Sequence, residues 1–256
     1  MRIVDLGSGT GANPRAVAPV LDCAQDWTLV EHDPALIEVG ASRLAESRIP
    51  WHYRRLDLVT ELERVAEEAP DLITASALLD LVSEAWLARL VELRRHTGAA
   101  LYLVLSYDGR IAWQPEDTAD EEVHRLVDEH QRTDKGFGPA LGSTAVERMA
   151  NLLDAGDGRL DIQPSNWVLG ADDGPIQHAL LAGYVVAATA VAPAIRRRPP
   201  GSGGALSSRP TNQGCASATS TCCCCRPRPV PVTAARVPTV RSKLRCRNPT
   251  ARSRAP

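Results

Sequence analysis

Asp5-Leu6-Gly7-Ser8-Gly9-Thr10-Gly11 is the segment of this chain best suited to hold a ligand. Glycines at alternate positions let a backbone approach a bound group closely and take up positive φ. Ala12–Leu21 behind them reads as a helix, whose first N–H groups and positive dipole end face whatever lies over the loop. Gly7, Gly9 and Ala12 also satisfy the dinucleotide pattern Gly-x-Gly-x-x-Gly/Ala. Carboxylates stand at the ends of the next two strand-like segments: Glu31 after Leu29-Val30, and Asp57 after the alternating Trp51–Leu56. Ionised carboxylates accept hydrogen bonds from ligand hydroxyl or amino groups. Candidates to contact a second reactant are Thr74, Ala75, Ser76, Leu78 and Asp80, then Tyr107 and Asp108, then His130 and Lys135. Each also has an ordinary use. Tyr107-Asp108-Gly109 reads as a turn, His130 lies on the apolar face of its helix, and Lys135 suits a solvated loop. Glu31-His32-Asp33 is no metal cluster, because alternate residues of a strand end face opposite ways.

The elements that must position these residues alternate. Arg2–Leu6, Trp27–Glu31, Trp51–Leu56, Asp71–Ala75 and Ala99–Ser106 read as strands. Helices are expected at Ala12–Leu21, from Asp33-Pro34 to Glu46, at Thr60–Glu68 and at Glu84–Arg95. Parallel strands need crossover helices, so the pattern predicts an α/β fold with a doubly wound, mostly parallel sheet. After Ser106 the chain makes the Tyr107–Gly109 turn and a short strand at Arg110–Trp113. Thr118 and Glu121 suggest a capping box opening the helix that carries Val123, Leu126, Val127 and His130. A Gly/Pro-rich loop, Lys135–Gly142, precedes a helix at Ser143–Asp154. Two runs, Arg159–Gln163 and Asn166–Leu169, suggest an antiparallel edge hairpin, and Pro175–Ala192 a final helix.

Asp5 before the glycines, a third glycine at Gly11 and Glu31 ending the second strand together resemble the class I, seven-stranded, Rossmann-like S-adenosylmethionine-dependent methyltransferases. Asp57, the segment Asp71–Leu81 and, more weakly, His130–Gly138 add to the likeness, which spans roughly residues 1–192 and points to an uncharacterised bacterial subgroup. The resemblance implies S-adenosyl-L-methionine as cofactor and a small-molecule acceptor. Asp5 would lie near the cofactor ammonium, with Gly7, Ser8, Gly9 and Gly11 beneath its amino-acid part. Glu31, beside His32, would hold the ribose hydroxyls, Asp57 and Leu58 would meet the adenine, and Thr74 and Ala75 would border the reacting centre. Tyr107, Asp108, His130 and Lys135 would contact the acceptor. Methyl transfer is an in-line displacement in which positioning does much of the work, with a base needed only if the acceptor loses a proton. The segment Asp117–Gly142, with Phe137, would cap the site and supply acceptor specificity. A nicotinamide-dependent oxidoreductase and a non-catalytic cofactor-binding protein are the alternatives.

Charge divides the chain. Residues 1–173 carry a net −15 and residues 174–256 a net +13, with no acidic residue after Asp173. An acidic front part argues against a nucleic-acid partner, because that affinity rests on Lys and Arg neutralising phosphates. Asn13-Pro14 is followed by Arg15, so the amino-group DNA methyltransferase signature is absent, and no Pro-Cys pair precedes residue 196. Ala179–Ile195 is uncharged but short for a membrane span and reads as a packed helix. A start without a signal-like apolar region suggests a cytoplasmic protein. Met1 falls inside the expected first strand, as in an N-terminally truncated domain. The domain is thus expected at 1–195. Residues 196–256 hold 13 basic residues, nine prolines and Cys222–Cys225, and are expected to be a disordered tail from a shifted reading frame.

Overall fold

The computed structural model describes residues 1–153, 155–193 and 216–223. Seven strands form one sheet: β1 (Arg2–Leu6), β2 (Asp26–Glu31), β3 (Trp51–Arg55), β4 (Leu72–Ser76), β5 (Ala100–Trp113), β6 (Ile162–Leu169) and β7 (Ala216–Cys223). Their order is β3-β2-β1-β4-β5-β7-β6. Neighbours among β1–β5 pair in parallel, and β7 runs antiparallel to both β5 and β6. This is the expected doubly wound, mostly parallel α/β sheet. The chain leaves β1 toward β2 on one side and returns to β4 on the other, so a crevice opens outside the carboxyl ends of these strands.

Helices cover both faces: α1 (Ala12–Val17), α2 (Pro34–Leu44), α3 (Glu84–Thr97), α4 (Asp120–Gln131), α5 (Ala145–Leu152) and α6 (Gly174–Val191). Side chains alternate across β1. Val4 and Leu6 pack with Ile73, Leu87 and Leu90 on one face. Ile3 packs with Trp27, Leu29 and Leu72 on the other. Burial on both faces explains why these strands read as continuous apolar runs. The Asp33 side chain accepts from Ala35 N–H with Pro34 at the first helical position, as the sequence predicts. Ser83 caps α3 through Trp86 N–H.

Several expectations are corrected. Tyr107-Asp108-Gly109 is not a turn: β5 runs through it to Trp113, with register shifts against β7 on either side of Ser106-Tyr107. The bulged ladder accommodates residues that would otherwise reverse the chain. The Thr118–Glu121 capping box does not form; α4 starts at Asp120, behind a local turn in which Asp117 Oδ1 accepts from Ala119 N–H. Thr60–Glu68 shortens to a 3-10 helix, Leu62–Glu68. The two runs expected as an edge hairpin merge into β6, an edge strand, where a proline such as Pro164 is tolerated. The antiparallel partner at that edge is β7, from the segment expected to contribute nothing. Ala-Ser-Ala-Thr-Ser-Thr-Cys-Cys has neither charge nor proline, a local pattern hidden by the composition around it. The rest of 196–256 lies outside the described residues.

The stretch Ala171–Val191, which includes α6, is by length and composition apolar enough to cross a membrane. Here Ala187 packs against Val123 and Val127 of α4, and Tyr184 meets Trp113 edge-on at 5.9 Å.

Candidate functional site

The glycine loop joins β1 to α1 at the switch point. Gly7, Gly9 and Gly11 have φ of 62°, 52° and 71°. Other residues rarely adopt such angles. A Cβ at Gly11 would lie 2.7 Å from Leu44 Cδ1, whereas one at Gly9 would meet nothing within 4 Å. The turn is pinned by Ser8 N–H to Val30 O (3.0 Å) and Gly11 N–H to Ser8 O (2.9 Å). Ser8 itself is buried, its hydroxyl also donating to Val30 O.

Asp5 lies beneath this loop. Asn13 Nδ2 donates to Asp5 Oδ1 at 2.7 Å and to Thr74 Oγ1 at 2.8 Å, and all three side chains are buried. Asp5 Oδ2 has no hydrogen-bond partner among the described residues. Burial pushes the Asp5 carboxyl up to about 7, against the pull of the Asn13 hydrogen bond. Asp5 and Thr74 therefore form a polar plug under the loop, and Ala75 belongs to the apolar core.

Glu31 ends β2 with a side chain only 7% exposed. Its Oε2 accepts from Gly9 N–H at 2.9 Å, and Oε1 accepts from His32 N–H at 2.8 Å and Asp33 N–H at 3.1 Å. The carboxylate is thus fixed by three backbone donors and tied directly to the loop. Asp57 Oδ1 accepts from Val59 N–H, while Glu61 reaches back to Asp57 N–H. Asp57 is therefore a local cap, and its exposed carboxylate also borders the crevice.

A cavity of about 370 Å³ opens between these segments. This falls within the range of small-molecule sites. Its wall includes Gly7, Glu31, His32, Asp57 and Leu58, all expected from the sequence. It also includes Lys135, Gly136 and Phe137, from the loop after α4. Asp5, Ser8, Gly9, Gly11, Thr74 and Ala75 are not among its lining residues. Lys135 Nζ donates to His130 O (3.0 Å) and Thr133 Oγ1 (2.8 Å) and lies 3.4 Å from His130 Nδ1. Burial, with Lys135 nearby, holds the His130 imidazole below its ordinary pKa.

Tyr107 and Asp108 do not share this cavity. Asp108 is ion-paired to Arg110 at 2.9 Å. Burial pushes the Tyr107 phenol well above its ordinary range, so it stays neutral. Among the described residues, buried polar atoms without a hydrogen-bond partner concentrate here: Asp80 Oδ1, Ser106 Oγ and Tyr107 Oη. Burial raises the Asp80 carboxyl, opposed by backbone N–H groups that include that of Tyr107.

Sequence reasoning missed Asn13, Tyr53, Gly40 and Trp86. Tyr53 Oη donates to Gly9 O at 3.0 Å, and a Cβ on Gly40 would lie 1.9 Å from that hydroxyl. A glycine in the middle of α2 was the available signal, because helices disfavour it without a packing reason. Trp86 Nε1 donates to Leu58 O at 2.7 Å, which no local pattern announces.

No protein-family model matches the chain, and no curated protein matches it either. Similar solved structures include a mycolic acid cyclopropane synthase with SAH and CTAB, 13% identical, TM-score 0.43, over 86% of this chain and 78% of that one. Another is coclaurine N-methyltransferase with N-methylheliamine and SAH, 15% identical, TM-score 0.42, over 86% and 66%. A third is an arsenic(III) S-adenosylmethionine methyltransferase from Chlamydomonas reinhardtii, 14% identical, TM-score 0.41, over 86% and 62%. These likenesses are distant, and the site stands on its own residues.

Proposed function

We propose that this protein is an S-adenosylmethionine-dependent methyltransferase acting on a small-molecule acceptor. The observation that carries the reading is Glu31. Three backbone N–H groups hold its buried carboxylate on the crevice wall, between the glycine loop and Asp57. That arrangement suits a ribose diol. Leu56, Leu58, Val59 and Leu78 give apolar walls beside it, and Asp57 a second acceptor for an exocyclic amine. The open space at Gly9 suits close passage of the ligand over the loop.

When bound, the cofactor supplies an electrophilic methyl group on a positively charged sulfur. The chain's task is to orient it toward an acceptor at the carboxyl ends of β4 and β5. Asp80 is the best-placed proton acceptor there, since burial favours its neutral form and brings its basicity closer to neutral pH. The Tyr107 hydroxyl, kept neutral, can hydrogen-bond an acceptor but is a poor base. Asp108 is engaged by Arg110, and Lys135 by its own turn. Calorimetry with S-adenosylmethionine, S-adenosylhomocysteine and NAD tests the reading. Binding of the first two is expected; binding of NAD alone would replace it with an oxidoreductase. An acceptor screen with labelled cofactor then identifies the methylated group. Tight binding without turnover across that screen would favour a non-catalytic role.

A further inference from the structure

The loop after α4, expected over the acceptor, borders the cavity that Glu31 and Asp57 also line. Lys135, Gly136 and Phe137 share one cavity wall with Glu31, His32, Asp57 and Leu58. We propose that residues 134–138 form the base-binding wall of the crevice and take the adenine ring of a bound nucleoside. The ligand's full identity rests on the methyltransferase reading above; the chemistry recognised is an adenine nucleoside with a free ribose diol.

Three observations support this assignment. First, the strap is built rather than draped. Asp134 Oδ1 accepts from Gly136 N–H (2.7 Å) and Gly138 N–H (3.0 Å), and Leu141 N–H donates to Val82 O (2.9 Å). Second, the strap and the segment after β3 are braced on one indole. Phe137 meets Trp86 edge-on, with centroids 5.6 Å apart, and Trp86 Nε1 donates to Leu58 O. A ligand wedged between Leu58 and Phe137 is therefore gripped by two arms fixed to the same side chain. Third, the charge of Lys135 is met within its own turn, and among the described residues it makes no ion pair. What it offers the cavity is an aliphatic stem. Beside it lie the Gly136 peptide and the Phe137 ring. Such surfaces suit a flat, neutral heterocycle rather than an anion.

Hydrogen exchange on the full chain, measured with S-adenosylhomocysteine, adenosine, NAD and methionine, tests the proposal. S-adenosylhomocysteine and adenosine should each slow exchange at 134–138 together with 31–33 and 57–59, and methionine alone should not. Phe137→Leu, which keeps an apolar side chain against Trp86, should weaken both adenine ligands by about tenfold in calorimetry, the scale of one aromatic contact. Protection of 31–33 and 57–59 without 134–138 would overturn the assignment, as would unchanged affinity in the Phe137→Leu protein. Protection of the strap by NAD and not by S-adenosylhomocysteine would keep the assignment and remove the methyltransferase reading. No response to any adenine ligand would end both.

Discussion

Replacing Asp5 with Asn should flatten the pH dependence of stability. Asp5 is 1% exposed, and its Oδ2 has no partner among the described residues, so ionisation inside the fold is costly. Its pKa rises from 3.8 to about 7. A folded pKa above the unfolded value means that stability is fully present below about 3.8 and is lost as pH rises through 7. Integrating proton uptake with those two values gives a loss on the order of 2–3 kcal/mol between pH 5 and pH 8. For a domain of this size that corresponds to about 5–10 °C in melting temperature. Asn at position 5 can still accept from Asn13 Nδ2 but cannot ionise. The assay is urea or thermal unfolding of both proteins, without added ligand, from pH 5 to pH 8.5. The other titrating groups are common to both, so the difference between the curves isolates Asp5. Wild type and Asp5→Asn moving in parallel across this range would refute the reasoning.

Three further outcomes are expected. Glu31→Gln cannot accept on both sides, so one set of N–H groups from Gly9 or from His32 and Asp33 loses its partner. Unfolding stability should fall by about 1–3 kcal/mol, and calorimetry should show S-adenosylhomocysteine binding weakened at least tenfold. Gly40→Ala should lower the melting temperature despite alanine's better helix propensity, because its Cβ would collide with the Tyr53 hydroxyl that supports Gly9. Tyr53→Phe in that background should restore part of the loss. Ser106→Ala and Tyr107→Phe each remove a buried hydroxyl without a hydrogen-bond partner among the described residues, so each should hold or raise the melting temperature, and Tyr107→Phe should also reduce acceptor turnover.

What the sequence revealed was local. Positive φ at Gly7, Gly9 and Gly11, the Asp33-Pro34 cap and the buried β1, β2 and β4 follow from residue types within a few positions. Glu31 was legible because a carboxylate ending an apolar run has few other uses. What stayed hidden depends on partners far along the chain. Tyr107-Asp108-Gly109 has turn chemistry, yet pairing with β7, more than a hundred residues later, keeps it in a strand. The position of Lys135 and Phe137 is fixed by Leu141 meeting Val82 and by Trp86, and no spacing rule links those residues. Asp5, expected at a ligand's ammonium, also accepts from Asn13 of the next helix, a partner that the strand-end position did not announce.

The last of the described strands, β7, occupies an inner position of the sheet, between β5 and β6. Synthesis order and spatial order therefore disagree at this edge. β1–β5, which carry the crevice, are made and can pair while the rest of the chain is still emerging. β6 has no ladder partner until residues 216–223 have left the ribosome. During that interval the outer side of β5 presents unpaired backbone groups, a template for another chain. Newly made protein should thus be most prone to self-association after its crevice-bearing half has already formed.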